Sequence, residues 1–89
     1  MPSELQIKAL LLDLESKIDK NGSPYCRLSL QGLTNRYFYA FNNSLKAETF
    51  SALTDSPHNF INRQVLITYQ ELNKENQGTF FKVRTIEII

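Results

Sequence analysis

The chain has 89 residues, of which 42% are hydrophobic and 21% charged, which is typical of one globular domain and excludes a disordered tail. The net charge of +1 excludes a uniformly basic surface, so any attraction for a polyanion has to come from where the charges lie. The single cysteine, Cys26, excludes an internal disulfide framework, and the lack of a signal-like or membrane-spanning apolar stretch predicts a cytoplasmic protein with no membrane contact.

The first element, residues 5–18, fits both a helix and a strand. Its composition favours a helix, and its apolar residues are spaced as on one helical face: Ile7, Leu10, Leu11, Leu14 and Ile18. Leu10, Leu12 and Leu14 also alternate with their neighbours, as in a strand. The Asn21-Gly22 turn that follows leads directly into a clear strand. We therefore predict a strand here, with the helix as the alternative.

The next two segments alternate strictly and predict strands. Residues 25–31 place Cys26, Leu28 and Leu30 inward and place Arg27, Ser29 and Gln31 outward. Residues 36–41 place Phe38 and Ala40 on one face and Tyr37, Tyr39 and Phe41 on the other. One apolar face fills the core of a small domain. The three rings on the second face therefore predict either a platform, on which each stacked base gains about 1–3 kcal/mol, or a packing surface under a helix or a second chain.

A helix and two more strands complete the chain. Asn43 or Ser44 is a suitable N-cap for a helix that runs to about Thr54. Residues 64–72 predict a fourth strand and residues 79–89 a fifth, joined by the polar hairpin loop 73–78. Three strands, one helix and two strands predict an all-β fold: a five-stranded OB-fold Greek-key barrel with its helix between strands 3 and 4, as a single domain of residues 1–89. A small α+β sandwich is the competing fold.

These segments resemble a known family. Residues 10–30, which end in Asn-Gly-Ser-Pro-Tyr-Cys-Arg-Leu-Ser-Leu, are similar to the first hairpin of bacterial single-stranded DNA-binding proteins and of primosomal replication protein B. Residues 37–42 resemble their third strand, residues 62–67 the entry to their fourth strand, and residues 78–89 their closing strand. The resemblance covers nearly the whole chain in pattern. It departs from the family in having no Trp and only a short connection at residues 32–35.

The resemblance implies that outward aromatic residues of the third strand stack on bases. Phe41 falls where the family has a stacking Phe, and Tyr37 and Tyr39 share its face. The alternation itself places basic residues on neighbouring outward faces, where they could contact phosphates: Arg27 on the second strand, Lys82 and Arg84 on the fifth, and Lys74 in the hairpin loop. Phe80 shares the face of Lys82 and is either a fourth ring or a residue that packs the hairpin. Arg36 has inward parity at a strand end, which predicts that it reaches the mouth of the barrel.

The sequence favours a binding protein over an enzyme. His58 is the only histidine, it lies far from Cys26, and no zinc-ligand spacing or nucleophile motif surrounds either residue. With three glycines in all, no phosphate-binding loop is present. No cofactor or metal is therefore expected, and Cys26 is expected to be a buried, inert thiol.

The resulting prediction is a protein that binds single-stranded nucleic acid, with DNA as the first choice and RNA as the alternative. It would act in DNA replication, in restart as part of a primosome, or in repair. The alternative is an OB-fold adaptor that binds protein, because the low net charge and an aromatic outer face also suit a protein interface. A homodimer and replication or repair proteins are the predicted protein partners, since the edge of the first strand and its outer leucines require cover.

Overall fold

Five strands and one helix make up the computed structural model, which describes residues 4–33, 36–74 and 78–89. The strands are β1 (Glu4–Ile18), β2 (Pro24–Leu30), β3 (Tyr37–Phe41), β4 (Gln64–Lys74) and β5 (Gly78–Ile88). The helix α1 (Ala47–Asp55) and a short 3₁₀ turn (Pro57–Asn59) connect β3 to β4. The strands close into a barrel in the order β1-β2-β3-β5-β4. The predicted architecture is confirmed.

Residues 5–18 form a strand, and a bulge explains why they resemble a helix. The β1–β2 register passes from Leu11 opposite Leu30 to Asp13 opposite Ser29, which leaves Leu12 without a partner. Because of this extra residue, the inward positions change from Leu11 to Leu14, three residues apart. A spacing of three is the helical spacing, although the backbone is extended throughout.

The same bulge marks the point where β1 changes partners. Residues 4–10 of β1 pair with β4, and Leu11 and residues 13–18 pair with β2. The long β1 strand thereby joins the two hairpins and closes the barrel. The ring is completed by a short parallel pairing of β3 with β5, in which Phe38 lies opposite Phe81 and Tyr39 opposite Lys82.

The barrel interior is apolar, and no polar or charged residue is buried among the described residues. The inward residues of β2 are the predicted ones, and those of β3, β4 and β5 lie against them. Residues with no exposed surface come from all five strands and the helix: Leu11, Cys26, Leu28, Leu30, Ala40, Leu53, Val65, Ile67 and Val83. Filling of this interior leaves the outward rings of β2 and β3 outside the core.

The predicted start of the helix is wrong. Neither Asn43 nor Ser44 caps α1, whose N-cap is Lys46 without a side-chain hydrogen bond. The Ser44 hydroxyl lies 3.0 Å from the Phe41 carbonyl oxygen and 3.1 Å from the Val83 carbonyl oxygen. Ser44 therefore ties the end of β3 to β5 instead of beginning the helix.

The hairpin loop predicted at residues 73–78 is shorter than expected. β4 continues to Lys74 and β5 begins at Gly78, so both ends of that segment are strand. Residues 75–77 lie outside the described part of the chain, as do Thr34 and Asn35 in the connection before β3. In the part that is described, no helix is long and apolar enough to cross a membrane.

Candidate nucleic-acid interface

Five outward rings from three neighbouring strands form one surface, which we call the aromatic face: Tyr25 on β2, Tyr37, Tyr39 and Phe41 on β3, and Phe80 on β5. Tyr37 is 37% exposed and the other four are half-buried. Register explains the grouping, because Tyr25 lies opposite Phe41 and Tyr39 lies next to Lys82 of β5. The rings therefore stand side by side outside the barrel.

Four rings of the aromatic face contact one another in a continuous chain: Tyr25, Tyr39, Phe41 and Phe80. The Tyr25 and Phe41 centroids are 5.8 Å apart, and those of Tyr39 and Phe41 are 6.4 Å apart with an angle of 20° between the ring planes. Tyr39 also meets Tyr25 at 6.1 Å and Phe80 at 6.3 Å. Tyr39 is thus the centre of the face, in contact with rings on both neighbouring strands.

A row of outward side chains crosses the barrel at the level of Tyr39. Arg27 lies opposite Tyr39 on one side, and Lys82 lies beside it on the other. Glu15 of β1 lies opposite Arg27, and Gln70 of β4 lies opposite Lys82. The central ring therefore has a cation on each side, which suits contacts with phosphates on either side of a stacked base.

Arg27 is held by two neighbours. Its guanidinium donates to a Glu15 carboxylate oxygen at 2.9 Å, and its Cζ lies 4.3 Å from the centroid of the Tyr37 ring. Glu15 also forms an ion pair with Lys17 at 3.3 Å. Hydrogen bonds from Arg27 and then from Lys17 lower the pKa of Glu15 below its ordinary value. The single Glu15 carboxylate thus forms ion pairs with two cations next to the aromatic face.

A groove with a volume of about 820 Å³ runs along the aromatic face. One wall is the β1–β2 connection with Asp19, Lys20 and Asn21, and the other includes Glu71 and Thr79. The Asp19 carboxylate accepts hydrogen bonds from the backbone N–H groups of Asn21 at 2.8 Å and Ser23 at 2.9 Å. These bonds hold the connection in a tight turn and fix the position of that wall.

At the mouth of the barrel the groove meets a second group of rings. Phe81 stacks on Phe38 at 5.0 Å and meets the edge of Tyr69 at 5.3 Å. The Arg36 guanidinium lies over Phe81, with Cζ 5.4 Å from the ring centroid. Arg36 is thus at the barrel mouth, where its parity predicts it. Glu71 lies opposite Phe81 in the β4–β5 register.

The structure brings together five of the seven residues predicted to contact nucleic acid: Tyr37, Tyr39, Phe41, Arg27 and Lys82. Arg84 is placed elsewhere. The β4–β5 register passes from Thr85 to Val83 and skips Arg84, whose Nε lies 3.8 Å from a Glu4 carboxylate oxygen. Lys74 ends β4, and its side chain lies outside what the structure describes.

Sequence reasoning missed Tyr25 and Lys17. Tyr25 has the same parity as Arg27, so the alternation of β2 was a sufficient signal for its place on the outward face. Lys17 lies opposite Tyr25 in the β1–β2 register. The sequence alone did not predict this position of Lys17, because the bulge at Leu12 changes which residues of β1 face outward.

The residues considered as possible catalytic or metal-binding groups, Cys26 and His58, do not line the groove. Burial raises the pKa of the Cys26 thiol, which has no exposed surface. His58 lies in the 3₁₀ turn. Within the described residues, no three side chains of His, Cys, Asp or Glu are grouped as metal ligands would be.

The fold is that of a solved single-stranded DNA-binding protein. The chain superposes on the mitochondrial single-stranded DNA-binding protein Rim1 of S. cerevisiae with a TM-score of 0.72 and 14% identity, over 100% of this chain and 97% of that one. Comparison with protein-family models gives no match, and comparison with curated protein sequences gives none either. The likeness therefore lies in the backbone, and it identifies the fold as the OB fold of that single-stranded DNA-binding protein.

Proposed function

We propose that residues 1–89 act as one domain that binds single-stranded DNA, with bases stacked on the aromatic face. The observation that supports this most directly is the chain of ring contacts centred on Tyr39, which lies outside a complete core. Phosphates on either side of a stacked base would meet Arg27 and Lys82. Stacking on rings gives little sequence preference of its own, because every base has a π-face.

The proposed role is passive protection of exposed strands in DNA replication, restart or repair, without catalysis. The net charge of +1 and the carboxylates of Glu15 and Glu71 beside the groove limit the affinity to a moderate range. The proposed location is the cytoplasm, a reducing compartment in which the single thiol of Cys26 stays reduced.

The composition offers a direct assay for stacking. The chain has four tyrosines and no tryptophan, so its intrinsic fluorescence comes from tyrosine alone. Three of the four, Tyr25, Tyr37 and Tyr39, belong to the aromatic face. Titration with unlabelled oligo-dT of about 30 nucleotides should quench this fluorescence, and a labelled oligo-dT should show the same affinity by anisotropy.

Two substitutions separate stacking from general damage. Tyr39→Ala should weaken binding by about fivefold to a hundredfold, since each stacked base contributes about 1–3 kcal/mol. Tyr39→Phe keeps the ring and should bind as the wild type does. Circular dichroism melting of both variants checks that the barrel is intact. If oligo-dT leaves the anisotropy unchanged even at low salt, the proposal is wrong, and the rings are better explained as the protein interface of an adaptor.

We also propose that the chain forms a homodimer through the outer side of β1. Leu12 is 39% exposed at the bulge, and Ile89 is 65% exposed. Leu10 lies opposite Gln64, whose carbonyl accepts a hydrogen bond from the Ile89 N–H, so Leu10 and Ile89 flank the same end of β4. Sedimentation equilibrium should give a dimer for the wild type and a monomer for Leu12→Glu. A wild type that stays monomeric at about 100 µM would overturn the dimer proposal.

A further inference from the structure

We propose that the barrel mouth holds a guanine-selective subsite, formed by Arg36 and Glu71 at the end of the groove. This inference rests on the proposed function, because it concerns one base of a bound single strand. It adds selectivity that the aromatic face does not supply. The two side chains differ in charge and in hydrogen-bonding role, and both line the groove next to stacking rings.

The backbone brings the two side chains to the same ring. Arg36 precedes β3 and places its guanidinium 5.4 Å from the centroid of Phe81. Glu71 lies directly opposite Phe81 on β4. A donor group and an acceptor group therefore flank a nearly buried aromatic side chain, which is 7% exposed and fixed by Phe38 and Tyr69.

Both groups are available to a ligand. Arg36 and Glu71 are exposed, and neither forms an ion pair with another described residue. This distinguishes them from Arg27 and Lys17, which are both held by Glu15. The groove wall next to them includes Tyr37 and Phe80, so a base stacked at this end would present its edge to the mouth.

Guanine matches this pair better than any other base. A carboxylate such as Glu71 accepts two parallel hydrogen bonds from adjacent donors, and guanine has adjacent donors at N1 and N2. A guanidinium such as Arg36 donates two parallel bonds to adjacent acceptors, and guanine has them at O6 and N7. Adenine and thymine lack both of these adjacent pairs, and cytosine lacks the pair of donors.

The test is a competition assay in which labelled oligo-dT is displaced by unlabelled oligonucleotides of equal length. One competitor is oligo-dT and another has isolated guanines spaced by thymines, which prevents guanine quadruplexes. We expect the guanine-containing competitor to bind at least about fivefold more tightly, the lower end of what one bidentate contact supplies. Replacing guanine with hypoxanthine removes the N2 donor, and 7-deazaguanine removes the N7 acceptor. Each replacement should reduce the preference.

Protein variants assign the two contacts. Glu71→Gln should lose the difference between guanine and hypoxanthine, and it should bind oligo-dT at least as tightly as the wild type does, because it removes a negative charge beside the groove. Arg36→Lys should lose the difference between guanine and 7-deazaguanine, since lysine lacks the fork. Glu87→Gln is the matched control, because it removes one negative charge from an exposed position opposite Leu66, outside the groove.

The outcomes separate this inference from the proposed function. Binding of oligo-dT with no preference for guanine would overturn the subsite and leave the proposed function intact. A preference that persists unchanged in both Glu71→Gln and Arg36→Lys would also overturn it, because another part of the groove would then select the base. Failure of every single strand to bind would overturn both proposals.

Discussion

The Glu15 carboxylate partly neutralises the positive charge next to the aromatic face. Its carboxylate holds Arg27 at 2.9 Å and Lys17 at 3.3 Å, and both cations flank the rings. A phosphate that contacts Arg27 has to compete with an attached anion. At the scale of single residues, the proposed affinity for nucleic acid would therefore depend on a side chain that itself contacts no phosphate.

Glu15→Gln should tighten binding of oligo-dT by about threefold at low salt, because one negative charge next to the phosphates is removed. It should also make the dependence of affinity on salt steeper, by about 0.7 in the logarithmic slope for each cation that gains a phosphate contact. Anisotropy titrations at several salt concentrations measure both effects. Glu87→Gln changes the net charge equally and should change neither. Weaker binding of Glu15→Gln would show that the ion pair positions Arg27 for the ligand.

The lowered pKa of Glu15 also predicts how stability depends on pH. Hydrogen bonds from Arg27 and Lys17 favour the charged carboxylate in the folded chain, so the unfolded chain binds more protons in the acid range. This contribution is fully present above the ordinary pKa of 4.5 and is lost as pH falls through the lower, folded value. Urea midpoints should therefore favour the wild type over Glu15→Gln at neutral pH and converge as the pH falls through the lowered, folded-state pKa. A difference that is constant with pH would contradict it.

At the scale of elements, the alternation of apolar and polar residues predicted four of the five strands. The features that this pattern did not predict depend on local backbone geometry. The inward and outward faces of β2 and β3 follow from parity, and they place Tyr37, Tyr39 and Phe41 outside. A bulge, in contrast, leaves no recognisable pattern of apolar and polar residues in the sequence. One extra residue at Leu12 gives β1 a helical spacing. Another at Arg84 moves this side chain away from the face that its parity predicts.

The start of α1 shows a second kind of limit. Ser44 has the chemistry of an N-cap, but the folded barrel brings it next to Val83, 39 residues further along the chain. Its hydroxyl then bonds the carbonyl groups of Phe41 and Val83. A contact between residues so far apart cannot be deduced from local sequence. Closure of the barrel mouth, which brings Arg36 over Phe81, likewise depends on a contact between residues far apart in the chain.

Ser44→Ala should destabilise the barrel by about 0.5–1.5 kcal/mol, because it removes a partly buried hydrogen bond between β3 and β5. The matched control is Ser51→Ala on the exposed side of α1, which should leave stability unchanged or raise it slightly. Urea unfolding followed by circular dichroism measures both. Equal stability of Ser44→Ala and the wild type would mean that the hydroxyl contributes nothing to joining the two strands.

At the scale of the whole molecule, the placement of charge matters more than its total. The chain is nearly neutral, and its cations next to the aromatic face are few. If Arg27, Lys82 and Lys17 contact phosphates, three phosphates of a single strand are neutralised and about two counterions are released. The slope of log affinity against log salt should then be about −2. Anisotropy titrations between low and moderate salt give this slope. A slope near zero would show that stacking alone holds the strand.

The short seam between β3 and β5 has a consequence for motion. Within the described residues, it has two register pairs, whereas β4 and β5 share ten. Amide hydrogens of β3 should therefore exchange with deuterium sooner than those of β4, since the seam is where the barrel opens with least loss of bonding. Tyr39 and Lys82 stand on opposite sides of this seam. A strand of DNA that contacts both residues would stabilise the pairing of β3 with β5. Bound DNA would therefore slow amide hydrogen exchange at residues of this seam that it does not contact.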